Sequence, residues 1–219
     1  MSFHHQPKIV TNGLINYLDC SNIKSYPGSG NNWYDLKGGT ATLTGGVSFV
    51  DGNMYFDGND GVVALPFAGF SEITYSMWVL KDFTNYRRAT KLDAGPSSDE
   101  FIMVWPSNGE FGVYIGGGTP SPGYHTSLGA GLNTTDWAYV TWSYEKTTLK
   151  LYKNGVYLNE VAVARATDFE GGKNINIGSP YGNATEDWVG NINVVQVYDR
   201  VLTTSEILQN YNALKSRYL

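Results

Sequence analysis

The sequence predicts an all-β protein built as a sandwich of two antiparallel sheets. Aromatic residues make up 14% of the 219 residues, charged residues only 16%, and there are 26 glycines, which favours packed strands joined by frequent turns. Short runs of alternating residues recur between clusters of turn residues, as a sandwich requires. Because all-β domains of this length commonly form one unit, we expect a single domain over residues 13–219.

The N-terminal part of the chain is predicted to hold one strand and one loop. Residues 1–12 are polar and irregular, which is typical either of a frayed end or of an arm that docks on a partner. His4 and His5 are adjacent there, and two imidazoles without further ligands do not make a metal site. Residues 14–20 are predicted as the first strand, and residues 25–33, rich in Gly, Pro and Asn, as a loop.

The middle of the chain is predicted to contain a strand pair followed by a long loop. Residues 101–105 and 111–115 are runs of apolar and aromatic residues around the turn residues of 106–109. Residues 116–133 then form the longest stretch without a strand pattern. Long loops in compact domains tend to carry function, so we expect residues 116–133 to be a functional loop.

Residues 136–161 are predicted as three consecutive antiparallel strands at the centre of the core. A polar turn at 145–148 separates the first two strands, and Asn154 and Gly155 separate the second from the third. Both central positions of a type I′ turn need positive φ, which Asn tolerates and Gly adopts freely, so residues 149–153 and 156–160 should form a tight hairpin. The first strand carries aromatic residues on both faces, which predicts a sheet covered on both sides.

A short helix is predicted at the C-terminus. Thr203 and Glu206 form a capping-box pair, and Leu202 with Ile207 fits a hydrophobic staple at the start of the helix. Apolar residues then recur at steps of three and four, which predicts a stripe that lies on the edge of the sandwich. The stripe consists of Ile207, Tyr211, Leu214 and Tyr218.

Charge and composition exclude several classes of partner. The net charge of −5 and the pI near 5.1, without a basic run, argue against nucleic acid. The single cysteine, Cys20, excludes an intrachain disulfide and is expected to be a small buried residue. Residues 1–10 lack the apolar stretch of a signal peptide, and no apolar run reaches 18 residues. We therefore expect synthesis in the cytosol, without secretion by a standard signal and without a membrane span.

Six blocks of the sequence, in this order, resemble laminin G-like domains of the concanavalin A-like lectin/glucanase superfamily, in the form common in tailed-phage structural proteins. The blocks are IVTNGLINYLDCSNIKSYPGSGNNWYDL (9–36), MYFDGNDGVVALP (54–66), ITYSMWV (73–79), DWAYVTWSYEKTTLKLYKNGV (136–156), INIGSPYG (175–182) and WVGNINVVQVYDRVLTTSEILQNY (188–211). The resemblance spans almost the whole chain. It implies a concanavalin A-like jelly-roll sandwich of two antiparallel sheets.

Catalysis is not predicted. The retaining glucanases that this fold resembles use a Glu-x-Asp-x-x-Glu strand, which holds an acid and a nucleophile on one face about 5 Å apart. That pattern is absent, and the acidic pairs Asp99-Glu100 and Glu186-Asp187 have a different spacing. His125 is the only histidine beyond residue 12, and no Gly-x-Ser-x-Gly elbow accompanies it. We expect that the protein is not an enzyme, with a glycoside hydrolase as the less favoured alternative.

Calcium is the one metal that the sequence suggests. Asp57, Asn59 and Asp60 supply oxygen ligands at the end of a strand, and laminin G-like domains often hold Ca²⁺ in loops at the rim. The alternative is that Asp57 and Asn59 close a turn through side-chain to backbone hydrogen bonds. Either role fits the residue types.

Carbohydrate recognition would need exposed aromatic rings beside amide or carboxylate groups. The candidates lie in or beside predicted loops, and they are Tyr124, His125, Tyr181, Asn183 and Trp188. Surface Tyr and Asn side chains would serve equally well at a protein interface. We expect these candidates to contact either a glycan or a protein partner.

The resemblance to the phage form of this family, together with the missing catalytic motif and the missing signal peptide, implies a non-enzymatic virion surface protein of a tailed phage. It would decorate the capsid or belong to a fibre or tail, and it would present a lectin-like module. Its expected partners are capsid or tail proteins and host-surface glycans, with repeated weak contacts strengthened by a homo-oligomer or by many copies on one particle. The alternative is a free carbohydrate-binding lectin, which could depend on calcium.

Overall fold

The computed structural model describes residues 7–59, 61–92, 101–105, 110–116, 124–127, 136–163, 168–178 and 185–219. Within these residues the chain forms sixteen β-strands and one α-helix. In chain order they are β1 (Leu14–Asp19), β2 (Asn32–Tyr34), β3 (Thr40–Thr42), β4 (Val47–Val50), β5 (Asn53–Asp57), β6 (Val62–Phe67), β7 (Glu72–Lys81), β8 (Arg87–Leu92), β9 (Phe101–Trp105), β10 (Gly112–Ile115), β11 (Tyr124–Ser127), β12 (Ala138–Glu145), β13 (Thr148–Lys153), β14 (Val156–Ala162), β15 (Lys173–Gly178), β16 (Val189–Tyr198) and α1 (Thr204–Leu214), after which Lys215–Arg217 forms a 3₁₀ turn.

Two antiparallel sheets form the layers of a sandwich. The eight-stranded sheet has the order β14-β13-β12-β7-β16-β5-β4, and β1 also pairs with β16. The six-stranded sheet has the order β11-β10-β9-β8-β15-β6, and β2 pairs with β3 as a separate hairpin. Both large sheets contribute to one buried cluster of apolar residues. The predicted all-β sandwich with a short C-terminal helix is confirmed.

The central hairpin forms as its turn residues predict. Asn154 and Gly155 have φ angles of 53° and 78°, which are the positive values that a type I′ turn requires. The Asn154 side chain also accepts a hydrogen bond from the backbone amide of Tyr139 at 2.9 Å, which ties the turn to β12. The turn between β12 and β13 is also tight, and its residue Lys146 has a φ angle of 55°.

Strand β12 is buried on both faces. On the inner face Trp142 stacks on Tyr75 with ring centroids 5.9 Å apart and meets Phe101 of the opposite sheet at 4.9 Å. On the outer face Tyr139 packs against Trp78 at 5.4 Å. The aromatic residues on alternate positions therefore fill two separate apolar layers, as the sequence predicts.

Helix α1 forms the second of these layers. Its capping box is present, because the Thr203 side chain accepts from the Glu206 amide and the Glu206 side chain accepts from the Thr203 amide. The predicted position on the edge of the sandwich is wrong. The helix and the residues after it cover the outer face of the eight-stranded sheet, where Trp78 stacks on Tyr211 of the helix at 5.7 Å and on Tyr218, beyond the 3₁₀ turn, at 4.4 Å. Large aromatic side chains on that face need a cover, and the apolar stripe supplies it.

Residues 8–10 lie against helix α1 of the same chain. The Val10 amide donates to Asn210 Oδ1 at 2.8 Å, and the Tyr198 hydroxyl donates to the Val10 carbonyl at 3.0 Å. Gln209 donates to the Lys8 carbonyl at 2.7 Å. This corrects the predicted arm over residues 1–12, because its described part belongs to the folded domain. Residues 1–6 lie outside the described residues.

Several strands were not predicted. They include β2, β3, β4, β8 and β11, of which β11 lies inside the predicted loop of residues 116–133. That loop is therefore interrupted by a strand that pairs with β10. Among the described residues, no helix is long and apolar enough to span a membrane.

Candidate functional site

Three chain connections meet at one end of the sandwich. Strand β5 ends at Asp57, β8 begins at Arg87 and β16 begins at Val189. Val189 lies opposite Asp57 in the sheet, and Arg88 forms an isolated bridge with Asp187. Residues 57–59, 85–88 and 186–188 therefore lie side by side, and we call them the Arg87 rim.

Two arginines hold the Arg87 rim together. Arg87 donates from Nη1 to the Asp187 carbonyl at 3.0 Å and from Nε to Asn85 Oδ1 at 3.2 Å. Arg88 forms an ion pair with Glu186 at 2.9 Å, donates from Nε to the Tyr86 hydroxyl at 3.1 Å, and lies over the Tyr86 ring at 5.3 Å. The rim thus presents a guanidinium, a carboxylate and a phenol in fixed positions. Such groups bind a polar ligand by hydrogen bonds.

Trp188 belongs to the base of the Arg87 rim and not to its surface. Its side chain is fully buried, and its ring meets Phe83 edge to face at 5.0 Å. Lys81 lies over the Phe83 ring, with its Nζ atom 5.4 Å from the ring centroid. Burial lowers the pKa of the Lys81 ammonium. The predicted stacking of a sugar on Trp188 is therefore corrected, because the sandwich core already covers the ring.

The calcium prediction falls on the Arg87 rim. Asp57 Oδ1 accepts a hydrogen bond from the Asn59 amide at 2.8 Å, which is the turn-closing contact that the alternative interpretation expects. The Asn59 carbonyl accepts from Gly46 at 2.8 Å, so it also holds the neighbouring loop. Asp60 lies outside the described residues. Within the described part of the chain, no group of three His, Cys, Asp or Glu residues could hold a metal ion. Calcium binding stays a prediction.

A second polar surface lies on the outward side of the six-stranded sheet. Thr90 and Leu92 pair with Met103 and Phe101 of the core, so Lys91, which is itself only 6% exposed, belongs to the opposite side of the strand. The pairing aligns one row of positions across the sheet, because directly paired residues share a side. The row is Ala64, Asn176, Lys91, Ile102, Tyr114 and His125. We call this side of the sheet the six-stranded face.

The remaining predicted residues are divided between these surfaces and the undescribed parts. Position 125 pairs with Tyr114 on the six-stranded face, whereas position 124 pairs with Ile115, which is buried in the core. Tyr181 and Asn183 lie outside the described residues.

The sequence interpretation missed Lys91, Arg88 and Tyr86. All three lie in or just before β8, whose sequence RRATKL shows no apolar alternation. No local signal places Arg88 beside Glu186 or Lys91 in one row with Tyr114. Only the sheet pairing brings them together.

Comparisons with known proteins agree with the sandwich architecture. The family model described as "Concanavalin A-like lectin/glucanases superfamily", of the laminin G type, matches residues 57–208. A comparison with curated protein sequences found no match.

Three solved structures are similar to the chain. Trypanosoma rangeli sialidase, in complex with a difluoro-KDN compound, has a TM-score of 0.70 at 18% identity, over 94% of this chain and 33% of that chain. Domain 4 of AbnA, a GH43 extracellular arabinanase from Geobacillus stearothermophilus, in complex with arabinotriose, has a TM-score of 0.69 at 18% identity, over 90% of this chain and 98% of that chain. The binding domain of Paraclostridial Mosquitocidal Protein 1 has a TM-score of 0.68 at 16% identity, over 92% of this chain and 52% of that chain. The chain spans about one third of the sialidase, and these identities show the fold alone.

Proposed function

Because the chain belongs to the concanavalin A-like lectin/glucanase superfamily, we propose that it is a non-enzymatic glycan-binding module carried on the surface of a tailed-phage virion. The observation that carries the glycan-binding part is the difference between the two outer sides of the sandwich. Helix α1 covers the eight-stranded sheet, whereas the six-stranded face carries the half-buried Asn176 and Tyr114 in one row. Amide and phenol groups on a rigid sheet suit the hydroxyl groups of a sugar.

A structural relative supports this proposal. Domain 4 of AbnA matches the chain over almost its whole length, and its structure contains arabinotriose. A domain of this size and architecture can therefore bind an oligosaccharide in a structure that contains no catalytic domain. The virion part of the proposal rests on the phage-like form of the sequence blocks.

The acidic residues of the Arg87 rim support the non-enzymatic part. Glu186 is held in an ion pair by Arg88, and Asp187 is 1% exposed. A retaining glycosidase needs two carboxyl groups that face the sugar from about 5 Å apart. A buried aspartate beside an ion-paired glutamate does not fit that arrangement.

A glycan array tests the binding function. We expect the purified protein to bind a restricted set of glycans, and Tyr114→Ala to weaken that binding about tenfold, because a stacked aromatic side chain contributes on that order. The matched control is Tyr34→Ala, which removes an exposed tyrosine from the separate β2–β3 hairpin and should leave binding unchanged. Thermal unfolding of both variants separates lost binding from lost folding.

Three further measurements separate the rival functions: the array repeated with a chelator, a polysaccharide assay and mass spectrometry of phage particles. Binding that disappears with a chelator would support a calcium-dependent lectin with its ion near Asp57. Release of reducing sugar from a polysaccharide panel would contradict the non-enzymatic proposal. For the virion part, mass spectrometry of purified phage particles should detect the chain, and particles that lack it would overturn that part alone.

A further inference from the structure

Two Asn-Gly pairs lie in the described part of the chain, Asn12-Gly13 and Asn154-Gly155, and a third, Asn108-Gly109, lies outside it. An Asn-Gly pair can deamidate without an enzyme. The glycine backbone nitrogen loses its proton and attacks the asparagine Cγ, the new C–N bond closes a five-membered succinimide ring, and the side-chain nitrogen leaves as ammonia. Water then cleaves one of the two ring C–N bonds, which leaves aspartate or isoaspartate. The ring closure is intramolecular, and glycine has no side chain to hinder it.

The fold holds the pair Asn154-Gly155 on both sides. The Asn154 amide donates to the Tyr139 carbonyl at 2.8 Å, and Asn154 Oδ1 accepts from the Tyr139 amide at 2.9 Å. Gly155 is buried, and a Cβ on it would lie 2.9 Å from Leu208 Cδ1. The side-chain group that the Gly155 nitrogen would attack is therefore bound to β12. Reaction at Asn154 requires the hairpin to separate from β12 and from the helix.

The pair Asn12-Gly13 lies in an exposed turn. The Leu14 amide closes the turn on the Thr11 carbonyl at 3.3 Å, which is longer than an ordinary N–H···O distance of about 2.9 Å. Asn12 is exposed. Within the part of the chain that the structure describes, neither the Asn12 side chain nor the Gly13 amide forms a hydrogen bond. Both reacting groups are therefore unbound.

The contacts around this turn permit the motion that the reaction needs. Arg200 Nε donates to the Asn12 carbonyl at 3.0 Å, and the Asp199 amide donates to the Gly13 carbonyl at 2.9 Å. Rotation of the peptide plane between Asn12 and Gly13 brings the nitrogen towards Cγ. It breaks the Arg200 contact and leaves the Asp199 contact, which belongs to the next peptide plane. Gly13 has φ +75°, and glycine tolerates both signs of φ, so this rotation is local.

We propose that Asn12 is a site of spontaneous deamidation in the folded protein, whereas Asn154, which has the same sequence neighbour, is protected by the fold. The reaction consumes only water. Its product adds a negative charge to a turn that packs against Asp199 and Arg200. Isoaspartate also lengthens the backbone by a methylene group at the carbonyl that Arg200 holds. Modification therefore weakens the attachment of the N-terminal segment to the end of β16.

Incubation of the whole chain in mildly alkaline buffer, followed by tryptic digestion and fragmentation mass spectrometry, locates each converted asparagine. In the folded protein Asn12 should convert at least about tenfold faster than Asn154, because opening a hairpin that the fold holds is rarer than a local turn motion. In concentrated urea, where neither turn is formed, the two should convert at similar rates.

Two variants complete the test. Asn12→Gln should remove the isoaspartate from the tryptic peptide 9–24, because a glutamine side chain is too long to close the five-membered ring. The matched control is Asn31→Gln, which changes an exposed asparagine that no glycine follows and should leave conversion at Asn12 unchanged. Anion-exchange chromatography gives a second readout, since conversion adds a negative charge and delays elution.

Each result decides the proposal. Faster conversion of Asn12 in the folded protein, together with similar rates in urea, would support it. Equal rates for Asn12 and Asn154 in the folded protein, or an Asn12 that stays unmodified there, would overturn it. A preference for Asn12 that persists unchanged in urea would overturn it as well, because the flanking sequence and not the fold would then set the rates.

Discussion

Glu206 is a carboxylate whose pKa is strongly lowered by its neighbours. Arg200 donates to its two oxygens at 2.6 and 3.0 Å, and the Thr203 amide donates to it at 2.8 Å. The hydrogen bonds from Arg200 are the largest cause that lowers the pKa of Glu206 to about 2. Ionised Glu206 therefore links β16, through the adjacent Arg200, to the first turn of α1.

This low pKa predicts an acid-sensitive contribution to stability. In the folded state Glu206 stays ionised down to a lower pH than in the unfolded chain. Its contribution to the free energy of unfolding is therefore present above about pH 4.5 and is lost as the pH falls through about 2. At pH 7 we expect Glu206→Gln to lower the free energy of unfolding by about 1–2 kcal/mol, and the difference from wild type should vanish as the pH falls below about 2.

Urea denaturation of both proteins at a series of pH values measures this difference. The control is Asp51→Asn, which changes an exposed carboxylate in the turn between β4 and β5 and should follow the wild type throughout. A difference between wild type and Glu206→Gln that stays constant from pH 7 to pH 2 would contradict the role of the charge.

At the scale of elements, the contact between the β13–β14 turn and helix α1 positions the helix. Gly155 has φ +78°, and a Cβ at that position would lie 2.9 Å from Leu208 Cδ1 and 3.0 Å from Leu208 Cα. Glycine is therefore required at this position for two independent reasons. The turn needs a positive φ, and the helix approaches too closely to leave room for a Cβ.

Gly155→Ala and Gly28→Ala separate those two requirements. Gly28 has φ +93°, and no atom lies within 4 Å of the position that an alanine Cβ would take, so its substitution should cost only the conformational strain, about 1 kcal/mol. Gly155→Ala should cost about 3 kcal/mol, because the overpacking against Leu208 adds to the strain. Chemical denaturation measures both, and equal losses would show that the helix moves away freely.

The elements that the sequence predicted correctly are those with local signals. The Asn154-Gly155 turn, the strand pair Phe101–Trp105 with β10, and the capping box of α1 each depend on residues close together in the chain. Strand β8 was missed because its pairing shifts between Arg88 and Thr90, which breaks the alternation, and because its outward positions are cationic. A four-residue polar strand such as β11 is recognisable only by its partner.

The candidate site was harder to predict for the same reason. The sequence marked Trp188 as a surface ring, but six tryptophans and sixteen tyrosines cannot be assigned to core or surface without the layers that cover them. The Arg87 rim joins residues 57–59, 85–88 and 186–188, which are far apart in the chain. Their proximity follows from the order of β5, β7, β8, β15 and β16 in the two sheets and from no local motif.

At the scale of the whole molecule, one asparagine joins the two ends of the described chain. Asn210 is fully buried, accepts from the Val10 amide at 2.8 Å and donates to the Tyr198 hydroxyl at 2.9 Å. Burial raises the pKa of the Tyr198 phenol, so it stays protonated and donates to the Val10 carbonyl. The N-terminal segment, β16 and α1 are thus connected by a single buried network.

Asn210→Ala should destabilise the whole domain by about 2–4 kcal/mol, because it leaves two buried partners without their hydrogen bonds. The matched control is Asn212→Ala on the same helix, where the side chain is half-buried and the loss should stay within about 0.5 kcal/mol. Thermal and chemical unfolding measure both variants. Similar values for the two substitutions would contradict the importance of the network.

Strand β16 has a consequence for the entropy of ligand binding. It pairs with β7 on one side and with β5 and β1 on the other, and it begins directly after Trp188 of the Arg87 rim. Glu186 is therefore anchored close to a central strand, and its ion pair with Arg88 is already formed in the absence of a ligand. A ligand that contacts this rim loses little free energy to ordering the protein, so a small number of contacts can produce measurable affinity.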